Sequence, residues 1–326
     1  MDLESEKTLT LGVDLGGTKV ETALVRSNGH IVASHKYPTN SSKGSEAIID
    51  DIIACIEGCL GKARQEARAL GVGIAGQVNL DGVVSFSPNL RWRNVPLQKI
   101  LEDKLKMPVV VVNDVRAATW GEWRFGSGKG VDDLVVLFVG TGIGGGVISG
   151  GNMLNGCTNI SGELGHMTIV VDGRKCHCPN SGCLEAYAGG WAIAERAQQM
   201  AKADPSGGRE LISLAGKIEN ITAVTVSDAF REGDQLANRV VEDTGRYLGA
   251  GIVGIVNAFN PCLLILGGGV IEGLPELMKI VETFTLARAL KAAVENFKVT
   301  KAALGNEAGI VGAANIAQNK IQKVIC

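Results

Sequence analysis

The chain has no cluster of lysine and arginine anywhere along its length. Its 32 basic residues are balanced by 34 acidic ones, giving a formal net charge of −2. Binding nucleic acid through phosphate neutralisation needs clustered cations, so no nucleic-acid partner is expected. Unbroken apolar runs are missing too. The longest, near 250–270, is interrupted by Asn257, Asn260 and Pro261. It reads as a buried helix followed by a strand, and no membrane partner is expected. The opening MDLESEKTLT lacks the basic and apolar regions of a signal peptide, which predicts a cytoplasmic protein. A G-x-x-x-x-G-K-S/T run is absent, which argues against a Walker-type nucleotide site.

Cysteines number eight, three of them within eight residues and the rest scattered. The residues are Cys55, Cys59, Cys157, Cys176, Cys178, Cys183, Cys262 and Cys326. A secreted disulfide framework would be denser and in a shorter chain. Cys55 and Cys59, four apart in a predicted helix, read as small core residues.

What remains is a globular composition, 45% hydrophobic and 20% charged. At 326 residues it predicts two packed lobes. Leu9–Val25 reads as strand, glycine turn and strand, extended by a further strand at Gly29–Tyr37. Ile48, Ile52, Ile53, Ile56 and Leu60 recur at helical spacing, predicting a helix over Ser45–Ala69. Gly71–Ala75 and Val109–Val112 read as buried strands. The stretch around Pro88 reads as a loop, and Val95–Leu105 as a helix opening at Pro96. Leu134–Ser149 repeats the opening pattern about 125 residues later, which suggests duplication. A long helix is predicted from Leu184 to about Lys202. The last third reads as mostly helical, with one buried strand at Cys262–Leu266.

Three glycine-rich turns each follow an apolar strand. They are Asp14 to Thr18 with Gly16 and Gly17, Gly140 to Gly146 with Thr141, Gly142, Gly144 and Gly145, and Gly267, Gly268 and Gly269. Successive backbone N–H groups in such turns make concave anion sites, and missing side chains let a phosphate approach. Gly140 to Gly145 also fits G-x-G-x-x-G. That dinucleotide fingerprint needs a helix directly after the turn, whereas Val147 and Ile148 continue as a strand.

DLGGTK, VVNDVRAA, GTGIGGG, GELGH, a Cys-x-Cys-x4-Cys run and LGGG occur together in one order and spacing. In them the chain resembles the ROK family of sugar kinases, from about Leu9 to about Ala314. The resemblance implies an α/β fold of the two-lobed actin/hexokinase/Hsp70-like type. This is a duplicated, ribonuclease H-like architecture with its active-site cleft between the lobes. Residues 1–115 with about 308–326 would form the small lobe, and 116–307 the large lobe carrying the cysteine loop. Asp14, Gly16, Gly17, Thr18 and Lys19 would hold the transferring end of ATP. Gly140 to Gly146 would cradle phosphates from the opposing lobe, and Gly267 to Gly269 would pack beside the adenosine. Glu307 to Gly312 resembles the second connector between lobes. Asp14 would orient Mg²⁺ directly or through water, and that ion takes few protein ligands.

Phosphoryl transfer needs a group that positions the attacking hydroxyl and accepts its proton. Asp114 follows the buried run VVVV, at a strand's carboxyl end where ligands gather in α/β folds. It is equally placed to cap the helix that follows, and both roles fit the pair Asn113-Asp114. The resemblance places the general base at Asp114 and a sugar-hydroxyl contact at Asn113. It assigns further sugar contacts to Asn89, Glu163, His166 and Glu185, with Gly162 near the sugar's 2-position.

Cys176, Cys178 and Cys183, with His166 ten residues upstream, make a closed tetrahedral set for a structural Zn²⁺. His177 is the rival to His166. Pro179 stands where the family usually has glycine. Glu163 precedes His166 by three residues and Glu185 follows Cys183 by two, so one metal would pin both carboxylates against the same pocket. Pro88-Asn89-Leu90 followed by Trp92 and Val95-Pro96-Leu97 matches the glucokinase members and favours glucose over N-acetylated sugars.

The expected reaction is ATP-dependent phosphorylation of a hexose at its 6-hydroxyl, with lobe closure excluding water. Alternatives are an N-acetylmannosamine or N-acetylglucosamine kinase, or a sugar-responsive ROK transcriptional regulator. The regulator would carry a helix-turn-helix before the first hairpin, where about ten residues stand here. Family resemblance also suggests a homo-oligomer, dimer or tetramer.

Overall fold

A computed structural model describes residues 8–39 and 41–325. The chain divides into two compact units. The first holds residues up to Gly130, Met153–Gly162 and everything from Ala303 on; the second holds Val131–Asn152 and Glu163–Ala302.

In the first unit β1 (Leu9–Leu15) and β2 (Lys19–Arg26) form an antiparallel hairpin, and β3 (Ile31–Pro38) extends it. Helix α1 (Gly44–Ala63) leads to β4 (Leu70–Ile74), which lies parallel to β1. A small antiparallel sheet of β5 (Gln77–Val78), β6 (Val84–Ser87) and β7 (Trp92–Val95) precedes α2 (Leu97–Leu105). Strand β8 (Val109–Asn113) then joins β4 in parallel, and α3 (Asp114–Phe125) follows. The main sheet runs β3-β2-β1-β4-β8.

The second unit opens with the hairpin β9 (Leu134–Val139) and β10 (Ile143–Ser149), then β11 (Asn152–Met153). Helices α4 (Glu185–Ala188), α5 (Gly190–Ala203), α6 (Arg209–Ala215), α7 (Ala223–Arg231) and α8 (Gln235–Phe259) come next. They are followed by β12 (Leu263–Gly267), α9 (Gly269–Gly273), α10 (Glu276–Arg288), α11 (Lys291–Val294) and β13 (Lys298–Lys301). This sheet runs β11-β10-β9-β12-β13, with β12 parallel to both β9 and β13. Each unit therefore sets a hairpin beside two parallel strands, the duplication that the two glycine hairpins predict.

Each sheet is covered by its own core. In the first unit Ile48, Ile52, Cys55, Ile56 and Cys59 of α1 pack on Leu11, Val13, Val20 and Val72. The Cys55 thiol donates to the carbonyls of Val20 and His35, and Cys59 to Ala33, which fits small core residues. The final helix α12 (Ala308–Ile325) covers the other face. Gly12 and Gly71, paired in register, make that possible. A Cβ on Gly12 would lie 2.1 Å from the Ile310 carbonyl oxygen, and one on Gly71 1.9 Å from that of Ala313.

The structure departs from the sequence reading at several points. Helix α1 stops at Ala63, because Arg64 takes a left-handed φ of 52° and donates its N–H to Leu60 O. The expected loop around Pro88 contains β5–β7. The helix expected over 184–202 is broken at Gly189, whose ψ of 155° is extended. The boundary expected after residue 115 falls instead after Gly130. Helix α3 stays with the first unit because its Gly121 lets Ala308 O approach, while Gly312 of α12 lets Ala117 O approach. Among the described residues no helix is long and apolar enough to cross a membrane. Cys326 lies outside the described residues.

Candidate active site

Strand pairing sets the first part of the site. Asp14 lies opposite Gly73, and Gly73 opposite Val112, so Asp14 and Asn113-Asp114 stand at the carboxyl ends of β1 and β8 with one strand between them. The turn Gly16–Thr18 is closed by Gly16 N–H donating to Lys19 O at 3.0 Å. Thr18 and Lys19 are exposed. Gly17 packs beside Asn89: a Cβ there would lie 3.2 Å from Asn89 O and 3.6 Å from its Cβ.

The cap of α3 falls to Asn113. Its Oδ1 accepts the Arg116 N–H at 3.0 Å, and its Nδ2 donates to Gly76 O at 3.2 Å. Asp114 is the first helical residue, and its Oδ1 accepts the adjacent Val115 N–H at 2.9 Å. Burial pushes the Asp114 carboxyl above its usual range, against the Val115 amide that lowers it.

Asp14 is pushed from 3.8 up to about 6, first by burial and then by the negative charges of Asp114 and Glu21, with Lys19 opposing. A divalent cation beside Asp14 would offset that cost. A raised carboxyl adds stability below its unfolded value, and that contribution is lost as pH rises through the folded value. In metal-free protein Asp14→Asn is therefore expected to raise Tm at pH 8, by relieving a cost on the order of 3 kcal/mol. The gain should vanish below the ordinary carboxylate pKa of about 3.9. Thermal melts across that range check this, and a gain independent of pH would contradict it.

In the second unit the glycine hairpin meets a pocket of about 510 Å³, within the usual range for small-molecule sites. Gly140 and Thr141 form one wall, Gly190, Trp191 and Ala194 of α5 another, and α7 with Thr222, Val224, Ser227 and Asp228 a third. Gly269, Val270 and Gly273 of α9 complete it. A Cβ on Gly140 or Gly269 would meet nothing within 4 Å, so both present bare backbone. Gly267 and Gly268 instead pack on Phe138 and on the backbone of Val139. Gly144 and Gly145 lie within β10, opposite Phe138 and Leu137. The break at Gly189 has its reason here, since Gly190 N–H donates to Gly140 O and Trp191 N–H to Thr141 O, at 2.9 and 3.2 Å.

The cysteine loop borders the same hairpin. One ligand atom from each of His166, Cys176, Cys178 and Cys183 lies within 4.8 Å of the others. Cys178 Sγ to Cys183 Sγ and His166 Nδ1 to Cys176 Sγ are both 3.6 Å. Ligands on a tetrahedral zinc stand about 3.8 Å apart for Zn–S bonds near 2.3 Å, so the four residues fit such an ion. A disulfide would need sulfurs about 2.05 Å apart. Burial pushes the Cys176 thiol up to about 12. His177 lies outside the set and stacks on Trp191, ring centres 4.1 Å apart. Pro179 sits in the exposed turn that Cys176 N–H closes onto Asn180 O.

Ile143 meets both the turn that follows Glu163 and the carboxylate of Glu185. Glu163 begins the tight turn Leu164–His166, and Gly165 of that turn packs under the Ile143 carbonyl, where a Cβ would lie at 2.1 Å. Glu185 Oε2 accepts the Ile143 N–H at 2.8 Å, and Oε1 accepts Trp191 Nε1–H at 3.3 Å. Gly162 ends the Met153–Gly162 segment of the first unit with φ 98°. Sequence reasoning missed Trp191 and all of α7. Trp191 falls inside the helix predicted over 184–202, and α7 inside a last third read only as mostly helical.

A model of the ROK family matches residues 10–320. A glucokinase from Streptomyces coelicolor is 38% identical over 316 residues, 95% of this chain and 98% of its own length. An N-acetylmannosamine kinase from Escherichia coli is 31% identical over 314 residues, 96% and 99% of the two chains. Among solved structures, a ROK family glucokinase from Streptomyces griseus in complex with glucose and AMPPNP superposes with a TM-score of 0.81. It is 36% identical, and the match covers 95% of this chain and 99% of that one.

Proposed function

The chain belongs to the ROK family, and from that premise we propose that it transfers the γ-phosphoryl group of ATP to the 6-hydroxyl of a hexose, glucose before others. The observation that carries this reading is the division of labour at Asn113-Asp114. Asn113 makes the helix-capping bond, which leaves the Asp114 carboxylate available as a base at the carboxyl end of β8. Identity to a glucokinase over nearly the whole chain supports glucose as the acceptor.

In the reaction, Asp114 accepts the proton of the 6-hydroxyl as that oxygen forms its bond to the γ-phosphorus. The bond from phosphorus to the bridging oxygen breaks, and ADP leaves with the electron pair. Asn89, Asn113, Gly162, Glu163, His166 and Glu185 contact the sugar. Asp14, Gly16, Gly17, Thr18 and Lys19 in the first unit hold the phosphate end of ATP. The second unit offers the turn Gly140, Thr141 and Gly142 to the phosphates and its pocket to the nucleoside, with Gly144 and Gly145 supporting that turn from within β10. Mg²⁺ entering with ATP neutralises phosphate charge, and Asp14 is the carboxylate suited to orient it.

His166, Cys176, Cys178 and Cys183 would hold a Zn²⁺ with four protein ligands, which would leave no position for substrate. Held so, they would fix the turn bearing Glu163 and the first turn of α4 bearing Glu185.

A coupled assay with MgATP across glucose, mannose, fructose, N-acetylglucosamine and N-acetylmannosamine tests the proposal. Glucose is expected to lead in kcat/KM by about tenfold or more over the N-acetylated sugars. A lead for N-acetylmannosamine would replace the sugar and keep the reaction. No turnover of any sugar would end the reading.

A further inference from the structure

The chain passes between its two units four times, after Gly130, Asn152, Gly162 and Ala302. On the first-unit side these passages are tied to one helix, α3, which is also the helix that presents Asp114. Two charged side chains make the ties, and both are buried, where a charge must find partners.

Arg116 is 8% exposed. Its guanidinium donates to the Asn155 side-chain oxygen and, at 2.6 Å, to the Asn159 carbonyl. Both acceptors lie in the Met153–Gly162 segment, bounded by two of the passages. Asn159, at φ 67°, anchors that segment again by donating from Nδ2 to Val78 O at 3.1 Å. Glu122 is 0% exposed. Its carboxylate accepts the backbone N–H groups of Ser127, Ala303 and Leu304 at 3.0, 3.1 and 2.7 Å. Ser127 lies just before the first passage, and Ala303 and Leu304 just after the last.

In both cases the charge is spent on backbone and amide groups of the passing segments. A guanidinium offers a rigid planar fork to two acceptors, and a carboxylate has room for several N–H donors, so each fixes geometry as well as contact. Arg116 stands two residues from Asp114 on the same helix. It therefore registers the segment that ends at Gly162 against the base.

We infer that α3 is the positioning helix of this protein, and that Arg116 sets where the sugar-contacting end of Met153–Gly162 lies relative to Asp114. This rests on the reading of Asp114 and Gly162 under the proposed function. Arg116 is thus a positioning residue acting through the segment it holds, and Glu122 does the same for the outer two passages.

The test compares Arg116→Ala, Asn155→Ala and wild type in steady-state kinetics and hydrogen exchange of the full chain. Asn155 is exposed, so its truncation removes the acceptor without opening the core. Glucose KM is expected to rise about 10- to 100-fold in Arg116→Ala, since misplacement by an ångström has that scale of effect. It should rise by a smaller factor in Asn155→Ala, with ATP KM staying within about twofold in both. Added guanidinium ion should restore part of the loss in Arg116→Ala and none in Asp114→Asn. Amides of 153–162 should exchange faster in both variants while those of Ala303 and Leu304 are unchanged. Glucose and ATP KM rising together, or unchanged exchange in 153–162, would overturn the inference. Should wild type phosphorylate no sugar, the functional reading falls, and the exchange comparison alone decides whether Arg116 holds the segment.

Discussion

Asp114→Asn is expected to lower kcat by about 10²- to 10⁴-fold, the usual scale for a general base, while glucose affinity stays within a few-fold. The substitution keeps shape and an acceptor for the Val115 N–H, and Asn113 still caps α3. Local structure therefore survives, and the loss is confined to proton acceptance. Stability supplies a second readout. Burial raises the Asp114 carboxyl above its usual value, so its contribution to stability is present at acid pH and fades as pH rises through the folded value. The neutral amide should thus match wild type in acid and exceed it at neutral pH. A variant that folds normally and turns over near the wild-type rate would remove Asp114 from the chemistry.

Loss of the zinc proposed for His166, Cys176, Cys178 and Cys183 should have the next largest effect. Cys183 is 0% exposed, its Sγ lies 3.6 Å from Cys178, and Leu184 beside it packs against Gly251 of α8. Cys183→Ser leaves three of the four groups, and verified removal of zinc leaves all four, without the cation that would hold them together. The expected fall in Tm is about 10 °C, from several kcal/mol lost in a unit of this size. Glucose affinity should drop by about tenfold or more in the same sample, because Glu163 and Glu185 lose their common anchor. Metal analysis, melting and sugar titration on one preparation check this. Sugar affinity unchanged after proven metal loss would separate the metal from the pocket.

Much of this was readable from residues alone, for physical reasons that also mark where reading stops. The hairpins at Leu9–Arg26 and Leu134–Ser149 announce themselves because apolar strands flank turns rich in glycine, and the shared sheet order follows from that repeat. The candidate set of His166, Cys176, Cys178 and Cys183 was visible because three cysteines fall within eight residues. Strands β5–β7 were not legible. They are two to four residues long, and Arg91 and Asn94 take left-handed φ values of 57° and 51°, which reads as loop. The break at Gly189 had a local signal in the pair Gly189-Gly190 that the sequence reading passed over. The apolar spacing runs straight through, and the break exists because the next two amides bond to the glycine hairpin. The pocket of the second unit was half visible: its glycines were marked, but Trp191 and α7 reach it through tertiary packing alone. The same holds for Glu185, since nothing local pairs it with the amide of Ile143.

A crystal structure of the chain with glucose bound tests the central claim most directly. The account predicts an Asp114 carboxylate oxygen about 2.6–3.2 Å from the sugar's 6-hydroxyl oxygen, the reach of a general base. A bound glucose whose 6-hydroxyl points away from Asp114 would contradict it.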